Sequence, residues 1–238
     1  MVSVSEQLHQ KRRLLSPRLW EASHRLWQHP ELARMYPCLL FRSYCIARAA
    51  VSFLGAAAAR LEAMAGGDPA AAGLLQFLER FILEETGHDE WMLEDLDALG
   101  VSRKKALDLI PPPTIAGLVG AQYYWIAHHH PVSVLGFIFM GETSGPRIEE
   151  VEAMIQRTGL PRTACRAFLR HAVLDLKHGS DLEQVIDALP LTSDHLSMIG
   201  VSLANTIHGM ALCTEEIVDA YELRKGACAS ETGEIRLY

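Results

Sequence analysis

Cysteine is scarce in this 238-residue chain. Cys38, Cys45, Cys165, Cys213 and Cys228 form no CxxC pair and show no regular spacing. An odd, scattered set argues against a disulfide framework or a thiolate zinc site, and leaves reduced cysteines in a cytoplasmic protein as the expectation. Positive charge is short as well: 22 Lys and Arg stand against 29 Asp and Glu, for a net charge of −7. Phosphate recognition needs clustered cation, so nucleic acid is not an expected partner. The opening segment MVSVSEQLHQKRRLL has no apolar run ahead of a cleavage site and does not read as a secretory signal. The most apolar stretches, residues 49–59 and 132–140, fall short of the ~20 residues that span a bilayer, so no membrane association is expected. Strict polar–apolar alternation is missing over any useful length, which removes the usual sign of strands.

Helix signals fill the space left by those absences. With 49% hydrophobic residues the chain has the apolar area to offset ordering entropy, so it is not intrinsically disordered. Ser16-Pro17 is a helix start and opens a helix through Trp27, with His29-Pro30 as the interruption. Longer helices are predicted over about 37–64 and 70–99, the second closed by Gly100. Two more follow, from Pro111-Pro112-Pro113 to His130 and from Pro131 to at least Gly141. Another runs from Leu160-Pro161 through His178 with a bend at Gly179, and the last from Thr192 or Ser193 to about Leu223. About seven helices with short, proline-marked connections imply one all-α domain over 16–224, with an N-terminal extension at 1–15 and a polar tail at 225–238.

Histidine and carboxylate are the abundant chemistry: eleven histidines accompany the acidic residues. Together they suit hard or borderline metals. A carboxylate three residues before a histidine occurs four times, against roughly one expected from the acidic fraction. Glu6/His9 and Glu21/His24 lie among other charges and read as solvated faces. Glu85/His88 sits inside a helix beside apolar residues, and at about 100° per residue the two share a face. Glu84 is within reach of that face. His171, Asp175 and His178, at offsets of zero, four and seven, share one face of another helix whose opposite side carries Val173, Leu174 and Leu176. Glu142 ends a strongly apolar helix, where a lone carboxylate is costly unless paired or metal-bound, and Gly141 before it is expected to allow close backbone approach. Glu85, His88, Glu142, His171, Asp175 and His178 thus form a ligand set for two metals, close to the dinuclear carboxylate plan of helical bundles. The departures from that plan are an acid-free helix at 37–61 and the added His171.

Glu-x2-His, then a single Glu, then His-x3-Asp-x2-His resembles the ligand order of the haem-oxygenase-like diiron oxidases, relatives of the thiaminase-like TenA and PQQ-synthesis PqqC proteins. The segments GHDEWMLEDLDALG at 87–100 and YYWIAHHHPVSVLGFIFMGE at 123–142 carry the same resemblance, which covers roughly residues 20–220. It implies a haem-oxygenase-like helical bundle holding two irons per chain, with manganese compatible at one site and O2 as co-substrate. It also implies an oxidoreductase acting on a small organic substrate such as an amino acid, fatty acid or related carboxylate, by C–C cleavage or N-oxygenation. An external electron donor and a homodimeric state belong to the same expectation. In such proteins the first glutamate lies three, seven or ten residues before its histidine. Phe81 and Leu78 occupy the two longer offsets here, which favours Glu85, with Glu84 as the alternative. A metal-free TenA- or PqqC-like enzyme and a non-catalytic, ferritin-like iron binder are the competing readings. Tyr123, Tyr124 and Arg48 are candidate substrate contacts, Arg48 as a carboxylate holder inside an apolar helix. His128-His129-His130 reads as helix-end capping and His208 as a core histidine.

Overall fold

The computed structural model describes residues 2–64 and 66–227, and all regular structure among them is helical. Eleven α-helices follow one another: α1 Val4–Leu15, α2 Pro17–Trp27, α3 Leu32–Met64, α4 Ala71–Glu85, α5 His88–Ala98 and α6 Arg103–Asp108, then α7 Pro113–His128, α8 Val134–Glu142, α9 Ile148–Thr158, α10 Arg166–Ala188 and α11 Ser193–Ala227. Short 3₁₀ turns at Pro131–Ser133 and Arg162–Ala164 lead into α8 and α10. The all-α class holds, with more and shorter elements than the seven expected. The N-terminal extension is itself a helix, α1, which packs on α10 and α11. Ser5 donates to the Asp187 carboxylate from both its backbone N–H and its hydroxyl. Of the polar tail expected from residue 225, the part beyond Ala227 lies outside the described residues.

Two long helices organise the bundle. α3 and α11 run through both apolar clusters of the core: one centres on Phe53, Leu61, Phe77, Phe139 and Leu203, the other on Leu26, Tyr36, Phe41, Leu96 and Ile217. By length and hydropathy alone both could cross a membrane, a property that core helices share. Their apolar windows are therefore longer than the runs picked out above. Arg42 of α3 is only 5% exposed and donates to the Cys213 carbonyl of α11 and to Glu216, so the two helices are tied by a charge that neither leaves unpaired.

The border between the clusters positions the site. Along the chain it falls between Phe81 and Met92, and again in α10 between Ala167 and Leu182. The single helix expected at 70–99 is broken there: Thr86 is extended with ψ 120° and Gly87 takes φ +94°, a left-handed conformation that costs an L side chain energy. α10, by contrast, runs without a break past Gly179, where a bend was expected. Gly179 serves contact instead, since a Cβ there would sit 3.0 Å from the Glu142 carbonyl oxygen. The close approach expected at Gly141 is not found, as a Cβ at that position would meet nothing within 4 Å.

Candidate metal centre

Four chain segments converge at that border. Glu85 is the last residue of α4, His88 the first of α5, Glu142 the last of α8, and His171, Asp175 and His178 line one face of α10. Glu85 and His88 do not meet as neighbours on one continuous helix, the arrangement their spacing implies. The turn at Gly87 folds one back on the other, with His88 Nδ1 3.1 Å from Glu85 Oε2. Ligand atoms of Glu85, His88 and His171 all lie within 4.8 Å of one another, as do those of Glu85, Glu142 and His178. Glu85 is common to both groups, so two three-residue sites share one carboxylate.

Asp175 belongs to neither close group. Its carboxylate lies against Gly145 and feels Glu142 and Glu85. Glu84 points to the outer side of His178, 3.8 Å from His178 Nε2 and 3.9 Å from Lys177 Nζ, while Glu85 faces inward. The three candidate substrate contacts are engaged elsewhere. Tyr123 meets Phe53 edge-on, Tyr124 is 56% exposed against His128 and His129, and Arg48 donates to the Tyr44 hydroxyl. His208 is exposed on α11 and plays no part in the core.

Donor directions separate a ligand set from an ordinary polar cluster. His171 Nδ1 lies 2.8 Å from the Ala167 carbonyl, which can only accept, so Nδ1 carries the proton and Nε2 keeps its lone pair. Metal-binding imidazoles are held in this way. Ala167 is fixed in turn, because its N–H donates at 2.8 Å to Asp95, a carboxylate with no solvent exposure. His88 Nδ1 and Glu142 Oε2 are buried without a well-directed hydrogen-bond partner. Orphaned polar atoms of this kind are expensive unless something outside the protein satisfies them.

The electrostatics agree. Burial pushes the Glu142 carboxyl above its ordinary value, and burial together with Glu142 and Glu85 raises Asp175 to about 8. The Glu142 carboxylate, 3.2 Å away, raises His178, whereas burial lowers His171. Carboxylates packed this closely resist losing their protons together, and a divalent cation would take the protons' place. The donor set therefore fits iron or manganese, with hard oxygens and borderline nitrogens and no thiolate. Trp91 stacks on His88 with ring centroids 4.1 Å apart, and Phe81 meets His178 edge-on, so aromatic faces cover the imidazoles on two sides.

A third cluster, Asp68, His130 and His195, also has ligand atoms within 4.8 Å of one another. Sequence spacing gave no sign of it, because its members lie 62 and 65 residues apart along the chain. Its donor directions are the reverse of those at His171. His130 Nδ1 accepts from the Val132 N–H and His195 Nδ1 from the Thr192 N–H, which leaves the protons on Nε2. Those atoms point at Asp68 Oδ2, at 3.3 and 2.9 Å. The cluster ties the α3–α4 connection to the starts of two other elements, and His130 Nε2 is buried in it without a well-directed hydrogen-bond partner.

Residues 39–202 match the model of a family described as iron-containing redox enzymes. No curated protein matches the chain. Among solved structures, a domain of unknown function with a haem-oxygenase-like fold from Shewanella denitrificans OS217 superimposes with a TM-score of 0.74 at 20% identity, over 97% of this chain and 95% of that one. A TenA homologue from Pseudomonas syringae pv. tomato superimposes with 0.70 at 14% identity, over 90% and 92%. A CADD-like protein of unknown function from Nostoc punctiforme gives 0.62 at 16%, over 95% and 100%. At these identities the likeness shows the haem-oxygenase-like fold.

Proposed function

The chain belongs to the family of iron-containing redox enzymes, and from that premise we propose that it is a non-haem dinuclear iron oxidase that uses O2 to oxidise a small organic substrate. The observation that carries this reading is the pair of three-residue sites sharing Glu85. Glu85, His88 and His171 would hold one metal ion and Glu85, Glu142 and His178 the other, with Asp175 the additional carboxylate beside the second. Iron bound there supplies electrons to O2 and an oxidising centre for the substrate, and manganese is compatible with the same donors at one site.

The protein's own contribution is positional. Ala167 holds His171 in the tautomer that leaves Nε2 free. Gly179 brings α10 against the Glu142 carbonyl, so His178 Nδ1 comes to 3.2 Å from Glu142 Oε2. Trp91 and Phe81 exclude water from the imidazoles. The substrate is taken to be an amino acid, fatty acid or related carboxylate, altered by C–C cleavage or N-oxygenation, with an external electron donor. A cytoplasmic, homodimeric protein completes the proposal; the buried thiols of Cys45, Cys165 and Cys213 are compatible with a reducing compartment.

Oxygen uptake provides the test. Protein loaded with ferrous iron under anaerobic conditions should consume O2 on mixing, with a change in its optical spectrum, and His178→Ala should lose both responses. O2 uptake by the iron-loaded protein that no organic substrate accelerates would favour the ferritin-like reading.

A further inference from the structure

The N-terminal helix reaches the metal cluster from outside the matched residues 39–202. Three side chains of α1 at helical spacing, Ser5, His9 and Arg12, tie it down. Ser5 holds Asp187, and His9 Nε2 lies 2.7 Å from Glu183, one turn nearer to His178 along α10. The His9 ring also meets Phe139 of α8 edge-on, with ring centroids 4.8 Å apart. Arg12 leaves α10 for the end of α8. One nitrogen of its guanidinium donates to the Thr143 carbonyl, to the Thr143 hydroxyl at 3.1 Å and to the Ser144 hydroxyl at 2.8 Å.

Thr143 directly follows Glu142, so this cation sits on the C-terminal end of α8, one residue past a candidate ligand. A helix ends in carbonyls without intrahelical partners and in the negative pole of its dipole, and a guanidinium there satisfies both. The Thr143 hydroxyl in turn donates to the Phe139 carbonyl, one turn back. Without Arg12 this last turn is free to fray, and the Glu142 carboxylate moves with it. Its placement is exacting, with the Glu142 carbonyl against Gly179 and Oε2 at 3.2 Å from His178 Nδ1. We propose that Arg12 is a positioning residue that fixes Glu142 for the second metal site by gripping the end of α8. It acts through the backbone of α8 and not on a ligand atom. This rests on the reading of Glu85, Glu142 and His178 as one of two metal sites.

Arg12→Met and Arg12→Lys test it, with Ser5→Ala as the control at the far end of α1. Hydrogen exchange of the metal-free protein reads the hold on α8, and anaerobic titration with ferrous iron reads the second site. Arg12→Met should speed amide exchange over residues 139–144 by at least about tenfold. It should weaken the second iron about 10–100-fold and leave the first unchanged. Arg12→Lys keeps the charge and should retain part of both. Ser5→Ala should lower the melting temperature and leave the iron titration as in the wild type. Unaltered exchange over 139–144 in Arg12→Met, two irons bound by that variant with wild-type affinity, or an equal loss of the second iron in Ser5→Ala overturns the proposal. A wild type that binds fewer than two irons, with exchange still faster in Arg12→Met, removes the dinuclear reading and leaves the hold on Glu142 in place.

Discussion

At the residue scale, the fate of each imidazole depends on what its second nitrogen does. His171 gives its Nδ1 proton to a carbonyl and offers Nε2 to the cluster, whereas His130 and His195 use Nδ1 to accept and turn protonated Nε2 toward Asp68. The first expected outcome follows from that contrast. His171→Ala should remove one metal per chain, while His195→Ala should leave metal content unchanged and lower only stability, as metal analysis and thermal melts would show. Asp95 acts one step further out. Asp95→Ala leaves the Ala167 N–H and the Arg166 guanidinium without their buried acceptor, at a cost of about 1–3 kcal/mol by denaturant unfolding. It should also weaken metal binding about 10–100-fold, the range for loss of a group that orients a ligand. The three α10 residues were legible from sequence because helical periodicity places them on one face. The Asp68 cluster was not, since a contact across more than sixty residues leaves no local trace.

At the element scale, the break between α4 and α5 brings Glu85 onto His88. Sequence periodicity suggested one helix over 70–99, because apolar residues continue at helical spacing through residues 81–96 and a single glycine inside such a run is usually tolerated. The left-handed backbone at Gly87 decides the matter, with φ +94°. Gly87→Ala should cost about 1–3 kcal/mol of stability. It should also depress metal binding more than the stability loss explains, because relaxation toward a continuous helix separates the two side chains. Unfolding and metal titration of the same variant check both parts. The helices opening at Pro17 and Ser193 were legible because an N1 proline and a Thr/Ser pair mark them. α6 and α9 were not read from the sequence: each is short and charged, and tertiary packing of Ala106, Val151 and Met154 is what holds them.

At the scale of the whole molecule, the carboxylate cluster couples stability to pH. Asp175 titrates at about 8 in the fold against an ordinary 3.8. The native state therefore keeps a proton that the unfolded chain has released over most of that window. Stability from this group is complete below about pH 4 and is lost as pH rises to about 8. Glu142, raised by burial, and His178, raised by the adjacent Glu142 carboxylate, act in the same direction. His171, lowered by burial, opposes them only as pH falls below 6.5. The metal-free protein should therefore melt at a lower temperature at pH 8 than at pH 5.5, and Asp175→Asn should flatten the difference. A bound cation replaces the proton and reverses the trend, and at a hundredfold excess over its dissociation constant it stabilises by about 2.7 kcal/mol.

The central claim is that two metal sites share Glu85, and anaerobic titration with ferrous iron tests it most directly. Wild-type protein should bind about two irons per chain, the number the dinuclear plan requires. His171→Ala should bind about one, and Glu85→Ala should lose high-affinity binding at both sites. A wild-type protein that binds no iron, or an unchanged stoichiometry in Glu85→Ala, would contradict the account.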